Sequence, residues 1–248
     1  MGSSWILSLQ AALLAALLFA SPVAAAPVSP EERVDRVDPI PKQLRSVDVK
    51  ERLGQELPRT LGFRDASGRP VTLGEFFDGK HPVILTLNYS NCPMLCSLQL
   101  NGLVEGLKKV EWGINQDYRI VTVSLDPNEP AELSQRTQNR YLTQYARPEA
   151  PGGWHFLAGR EANVKAYAEA IGFSYQYDEK RQEYAHPAAI ALASPDGRIM
   201  RYLYGLEYQP KTLHLALVES SEGRIGSTLD KLILYCFHYD ATEGRYAP

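Results

Sequence analysis

Three side chains carry most of the chemistry this sequence can offer. Cys92 and Cys96 lie four residues apart in Asn91-Cys92-Pro93-Met94-Leu95-Cys96, and His186 sits in Glu183-Tyr184-Ala185-His186-Pro187. Two thiols one helical turn apart can close a disulfide or hold a single ion between them. Thiolates select Cu(I), zinc or the iron of an iron–sulfur cluster. Structural zinc sites and clusters mostly want four protein ligands, more than two Cys supply. Two Cys with one imidazole suit copper, as Cu(I) and/or Cu(II), so Cys92, Cys96 and His186 form a candidate metal set. The same pair is a candidate redox-active disulfide. The plain alternatives are a structural disulfide or two buried thiols for the pair, and an exposed loop histidine for His186.

The local setting favours a reactive pair. Pro93 suits the first position of a helix and makes Cys92 its N-cap residue. The partial positive charge of a helix N-terminus stabilises a thiolate, so Cys92 is the expected attacking sulfur. Three residues between the thiols, rather than two, leave a slightly wider gap that still permits a disulfide. Met94 reads as a gap filler. His81 and His155 read as ordinary loop residues, and His214 as a solvated helix position.

The elements that must position these residues alternate. Val83 to Tyr89 is a continuous β-rich run, as a buried strand requires, and leads directly into the Cys motif. Leu100, Leu103, Val104, Leu107 and Val110 recur at helical spacing after it. A strand over Tyr118–Leu125, a helix over 131–145, a short apolar piece at 154–157 and a helix over 161–171 follow. The end of the pattern is a strand at 188–193, the turn Ser194-Pro195-Asp196-Gly197, a return strand at 199–204 and a helix over 211–219 opened by Pro210. Upstream, Asp65-Ala66-Ser67-Gly68-Arg69-Pro70 reads as a hairpin turn. This order predicts an α/β fold of the thioredoxin-like type, a central mixed sheet flanked by helices, with an extra C-terminal tail. In such folds the loop entering the 188–193 strand faces the Cys motif, and Pro187 stands where the fold places a cis-proline.

At 248 residues the chain suits one domain with appendages. A net charge of −3 and the lack of a long basic run argue against nucleic acid as a partner. Residues 1–26 carry an apolar run from Trp5 to Ala20 and then small residues, the layout of a signal peptide cleaved after Ala24 or Ala26. An uncleaved N-terminal anchor is the rival, and membrane association is expected only through it. Either places the domain outside the cytoplasm, in the periplasm. Residues 27–56, with Pro27, Pro30, Pro39 and Pro41, read as a flexible linker. The domain is expected over 57–222 and the extension over 223–248. Within that extension Leu232 to Tyr239 reads as a docked strand, with Cys236 and His238 on one side as a possible secondary metal pair or as simple packing. Three Cys in an exported chain make one reactive pair and one spare thiol, not a disulfide framework.

Taken together, these pieces resemble the SCO/SenC family of copper proteins of cytochrome c oxidase assembly, from about Phe63 to Glu219. The likeness rests on four matches: Val83 to Cys96 with its Cys-Pro-x-x-Cys; Val123-Ser124-Leu125-Asp126-Pro127; Tyr184-Ala185-His186; and Ala193-Ser194-Pro195-Asp196-Gly197. It implies copper on Cys92, Cys96 and His186, with Asp126 as an acidic neighbour. It also implies a metallochaperone role toward the CuA subunit of the oxidase, or another copper-receiving protein, or reduction of that subunit's cysteines. As an enzyme, the chain would be an extracytoplasmic thiol–disulfide oxidoreductase served by a thiol reductant protein. Three departures accompany the likeness. Ser97 follows the second Cys where the family often has Pro, Asn128-Glu129-Pro130 replaces Arg-Asp-Thr, and Pro187 follows the His in place of a hydroxyl residue.

Overall fold

The computed structural model describes residues 47–92, 95–225, 238–240 and 245–247. Strands β1 (Gly62–Asp65) and β2 (Pro70–Thr72) form the expected hairpin, closed by Asp65. Its carboxylate accepts the N–H groups of Ser67 and Arg69, a local substitute for backbone pairing. After a short 3-10 turn at Leu73–Phe76 come β3 (Val83–Asn88), α1 (Leu95–Leu107), β4 (Arg119–Ser124) and α2 (Ala131–Tyr145). Next are β5 (Trp154–Ala158), α3 (Glu161–Ala170) and a small hairpin, β6 (Gln176–Asp178) with β7 (Glu183–Ala185). The strands β8 (Ala189–Ala193) and β9 (Ile199–Tyr204) and the helix α4 (Pro210–Ser221) complete the fold.

Seven strands make one mixed sheet in the order β2-β1-β5-β4-β3-β8-β9. The centre, β5-β4-β3, is parallel, and both flanks are antiparallel. Every residue of β3 is buried, as a central strand covered on both faces requires. Alternate β3 side chains serve two cores: Val83, Leu85 and Leu87 face the one that contains Val164 and Tyr167 of α3. Ile84 faces the other, with Leu103 and Leu107 of α1, Tyr141 of α2 and Leu213 of α4. The result is a three-layer thioredoxin-like domain with helices on both faces of a mixed sheet. Both parallel strand pairs are joined through helices, which brings the C-terminal ends of β3 and β4 to the same end of the sheet.

Several boundaries differ from the expectations. Residues 47–56, assigned to the linker, lie against the domain: Val47 and Val49 are buried, Lys50 N–H donates to Gly172 O, and Gly54 N–H donates to Ile199 O. Composition signalled a tether there, but two valines and backbone donors suffice to dock the chain. The β6–β7 hairpin was not expected, because its alternation is masked by polar and Tyr residues. His155 is on β5, its ring tilted against that of Phe76, and His214 packs edge-on against Trp112, so neither is a plain surface residue. His81 is held between Asp78 and the Gln116 carbonyl. In the tail, β10 (His238–Asp240) pairs antiparallel with β11 (Arg245–Ala247), while Cys236 and most of the expected 232–239 strand lie outside the described residues. No helix among the described residues is long and apolar enough to cross a membrane, and the segment expected to be a signal peptide or anchor lies outside them.

Helix α1 is seated by two glycines. A Cβ on Gly102 would lie 1.7 Å from the Leu206 carbonyl oxygen, and one on Gly106 would lie 2.4 Å from that of Tyr208. The helix therefore rests directly on the backbone of the β9–α4 connection. Gly102→Ala should lower unfolding free energy by about 2 kcal/mol or more in urea titrations, since backbone cannot move aside as a side chain can.

A second expectation concerns pH. Burial, reinforced by the Arg119 charge, pushes the His155 imidazole down to about 4 from its ordinary 6.5. The unfolded chain then binds more protons than the folded one between those values, so stability falls as pH drops through that window. His155→Phe should flatten part of the slope, by at most about 3 kcal/mol between pH 7 and 4. Unfolding free energies measured across that range check it; an unchanged slope would contradict the assignment.

Candidate metal centre

Strand β3 ends at Asn88, and the chain must turn at once to enter α1. It does so in a tight turn, in which Cys92 N–H donates to Tyr89 O at 3.3 Å. Cys92 is half-buried and packs against the core that holds Tyr184. Cys96 is the second residue of α1, which begins at Leu95; Pro93, expected at the first helical position, lies outside the described residues.

His186 is not the exposed loop residue of the plain alternative: it is 0% exposed. Its Nδ1 lies 3.1 Å from the Pro187 carbonyl, which can only accept, so Nδ1 carries the proton and Nε2 the lone pair. Burial holds the imidazole down to about 4, keeping it in the neutral form that can ligate a metal. The His186–Pro187 peptide is trans, so Pro187 does not reproduce the cis-proline expected of the fold.

Two sets of contacts join the Cys loop to the His loop. Tyr184, two residues before His186, donates its N–H to the Tyr89 hydroxyl at 3.3 Å, and the two rings meet edge-on at 5.3 Å. Tyr177 and Tyr175 extend this aromatic group from the β6–β7 side. On the opposite face of the sheet, buried Gln99 of α1 accepts from the Asn88 side chain and donates to the Ala189 carbonyl, both at 2.8 Å. One amide thus fixes the Cys helix to the end of β3 and to the start of the strand that follows His186. The sequence signalled neither contact, since Tyr and Gln have no local pattern that marks a cross-strand partner.

Asp126, two residues past the end of β4, is half-buried and accepts the Asn128 N–H at 2.8 Å, capping its own loop. Its charge reaches Tyr184, whose hydroxyl burial and that charge push up to about 12. Asp126 therefore belongs to this end of the sheet. The residue that reasoning from sequence missed is Glu129, which is buried beside Ser90. Beside the aromatic group an open groove runs past Leu125, Pro127, Lys165, Tyr175 and Tyr177. Among the described residues, no group of three or more His, Cys, Asp and Glu is assembled for a metal; Cys96 enters the geometry through its place in α1.

The sequence profile of the SCO1/SenC family matches residues 51–219. The chain belongs to the SCO1/SenC family. The matched span starts within the docked 47–56 segment and ends in α4, so it is the whole three-layer domain. A SCO1 protein homolog of Bacillus subtilis (strain 168) is 24% identical over 166 residues, 65% of this chain and 80% of its own. Arabidopsis thaliana ScoI, solved with copper bound, superposes with a TM-score of 0.53 at 19% identity, covering 68% of this SCO1/SenC chain and 98% of its own. BsSco, described with a disulfide switch and as a member of the Sco family of cytochrome c oxidase assembly proteins, gives 0.51 at 20% identity, covering 71% and 96%. At these identities the superpositions establish the fold.

Proposed function

We propose that this chain is an extracytoplasmic copper carrier whose cargo is held by Cys92, Cys96 and His186. In this reading it hands copper to the CuA-bearing subunit of cytochrome c oxidase or to another copper-receiving protein. The observation that carries the proposal is the buried, neutral His186 on a loop tied through Tyr184 and Tyr89 to the Cys92 turn. A neutral imidazole whose ring is held by its Nδ1–H presents Nε2 in the form a soft ion takes as a ligand. Two thiolates and one imidazole in an aromatic, half-buried setting form a low-coordinate donor set suited to Cu(I). Family membership supports the reading, as do the copper in ScoI and the assembly role given for BsSco. The N-terminal signal-like segment supports export to the periplasm, and Asp126 supplies an acidic group near the entrance.

Within this account each residue has a task. Cys92, half-buried just ahead of α1, is favoured as a thiolate and serves as the sulfur that exchanges with an acceptor. Cys96 provides the second sulfur from the first turn of α1. His186 completes the set through Nε2, its ring held by the Nδ1–H bond to Pro187 O. With both thiols oxidised to a disulfide, the carrier could not load, so a thiol reductant protein is the second partner this chemistry requires.

Competition titration with a chromophoric Cu(I) chelator tests the proposal. The Cys92→Ser, Cys96→Ser protein should lose high-affinity Cu(I) binding, and His186→Ala should weaken it by about 100-fold or more, beyond the loss expected for outlying groups. Unchanged Cu(I) affinity in the double variant would remove the carrier role. An unaltered assembly phenotype in His186→Ala would favour thiol–disulfide exchange at the Cys pair as the working chemistry.

A further inference from the structure

Glu129 lies in the loop between β4 and α2, one residue before the Pro130 that opens that helix, and is only 3% exposed. Four donors converge on its carboxylate. Ser90 N–H and Ser124 Oγ donate to Oε2 at 2.9 and 2.6 Å, and Ser90 Oγ and Ser134 Oγ donate to Oε1 at 2.8 and 2.6 Å. The three serines come from the turn after β3, the end of β4 and the first turn of α2. A carboxylate has four lone-pair directions and no donor when ionised, so this set saturates it. Such a group is costly to bury unless its oxygens are all paired, as they are here.

What it holds is specific. Tyr89 to Cys92 is the turn that delivers the first sulfur, and Ser90 is its second residue, whose N–H the turn's own hydrogen bond leaves unused. Glu129 takes both that N–H and the hydroxyl of the same residue. The turn is therefore gripped at two successive positions, Tyr89 by the His loop through Tyr184 and Ser90 by the loop after β4.

We propose that Glu129 is a positioning residue for the Cys92 turn, holding the first sulfur in register with Cys96 before any ion or disulfide is formed. The inference rests on the Cys pair being the working site. Ordering the turn is done at folding, so less ordering remains when the two sulfurs are brought together.

The test uses the full chain in four forms: wild type, Glu129→Ala, Glu129→Gln and Arg147→Ala. Arg147 is the control for general loss of stability: its guanidinium caps the carbonyls of Lys108, Val110, Glu111 and Trp112 beyond the far end of α1, away from the turn. Three quantities are read: thermal unfolding, Cu(I) affinity against a chromophoric chelator, and the midpoint potential of the apo Cys92/Cys96 pair in dithiothreitol buffers. Glu129→Ala should weaken Cu(I) binding about 10- to 100-fold and lower the tendency to form the disulfide about tenfold, a shift of about 30 mV to less negative potential. Glu129→Gln keeps the shape and one acceptor oxygen, so it should fall between Glu129→Ala and wild type. Arg147→Ala should be less stable yet keep both affinity and potential within about twofold. The proposal is overturned if the Glu129 variants lose stability alone, or if Arg147→Ala moves the potential equally. If Glu129→Ala does not fold, Glu129→Gln and Ser90→Ala carry the comparison. If the wild type itself binds no Cu(I), the copper reading fails, and the apo potential still decides the positioning role.

Discussion

The side-chain amide of Gln99 is the constraint on which the arrangement at this end of the sheet depends. It is fully buried, and it joins the helix carrying Cys96 to the end of β3 and to the start of β8. Both partners are themselves buried, so losing the amide would leave polar groups without hydrogen bonds, at about 1–3 kcal/mol each. Below it, Gly102 and Gly106 let α1 settle onto the β9–α4 backbone with no side chain between. The helix is thus fixed in both rotation and depth. The turn Tyr89–Cys92, closed by its own hydrogen bond, starts from the end of β3 that the same amide holds.

Around that frame, polar groups are spent where the two loops meet. Tyr89 and Tyr184 tie the Cys turn to the His loop, and Glu129 ties the same turn to β4 and α2. Burial keeps the imidazole of His186 neutral to lower pH than a surface histidine would stay. In the proposed carrier, neutral imidazole and two thiolates would make the donor set that a soft ion prefers.

Much of the fold was legible because its signals are local. The uninterrupted β-rich run before Cys92 reads as a buried strand, and the periodicity from Leu100 to Val110 as the helix that follows; both are there. Helix 131–145 falls where its pattern placed it, and the Ser194–Gly197 turn joins the two strands expected on either side. What escaped notice depends on distance. Residues 47–56 look like linker by composition and dock through two valines and their backbone. His155 looks like a loop residue until β4 and β1 take up positions on either side of β5. Glu129 had no marker, because its meaning comes from three serines at positions 90, 124 and 134. The resemblance to the SCO/SenC pattern even pointed away from it, since the local sequence there departs from that pattern. The trans His186–Pro187 bond likewise differs from a fold-level expectation that no nearby residue could have corrected.

The central claim is that one ion is held by both sulfurs and the buried imidazole together. X-ray absorption at the copper edge on the Cu(I)-loaded chain tests this most directly. The account predicts a three-coordinate ion with two sulfur scatterers and one nitrogen scatterer, the nitrogen vanishing in His186→Ala. A sulfur-only shell in the wild type, or a shell left unchanged by that substitution, would contradict it.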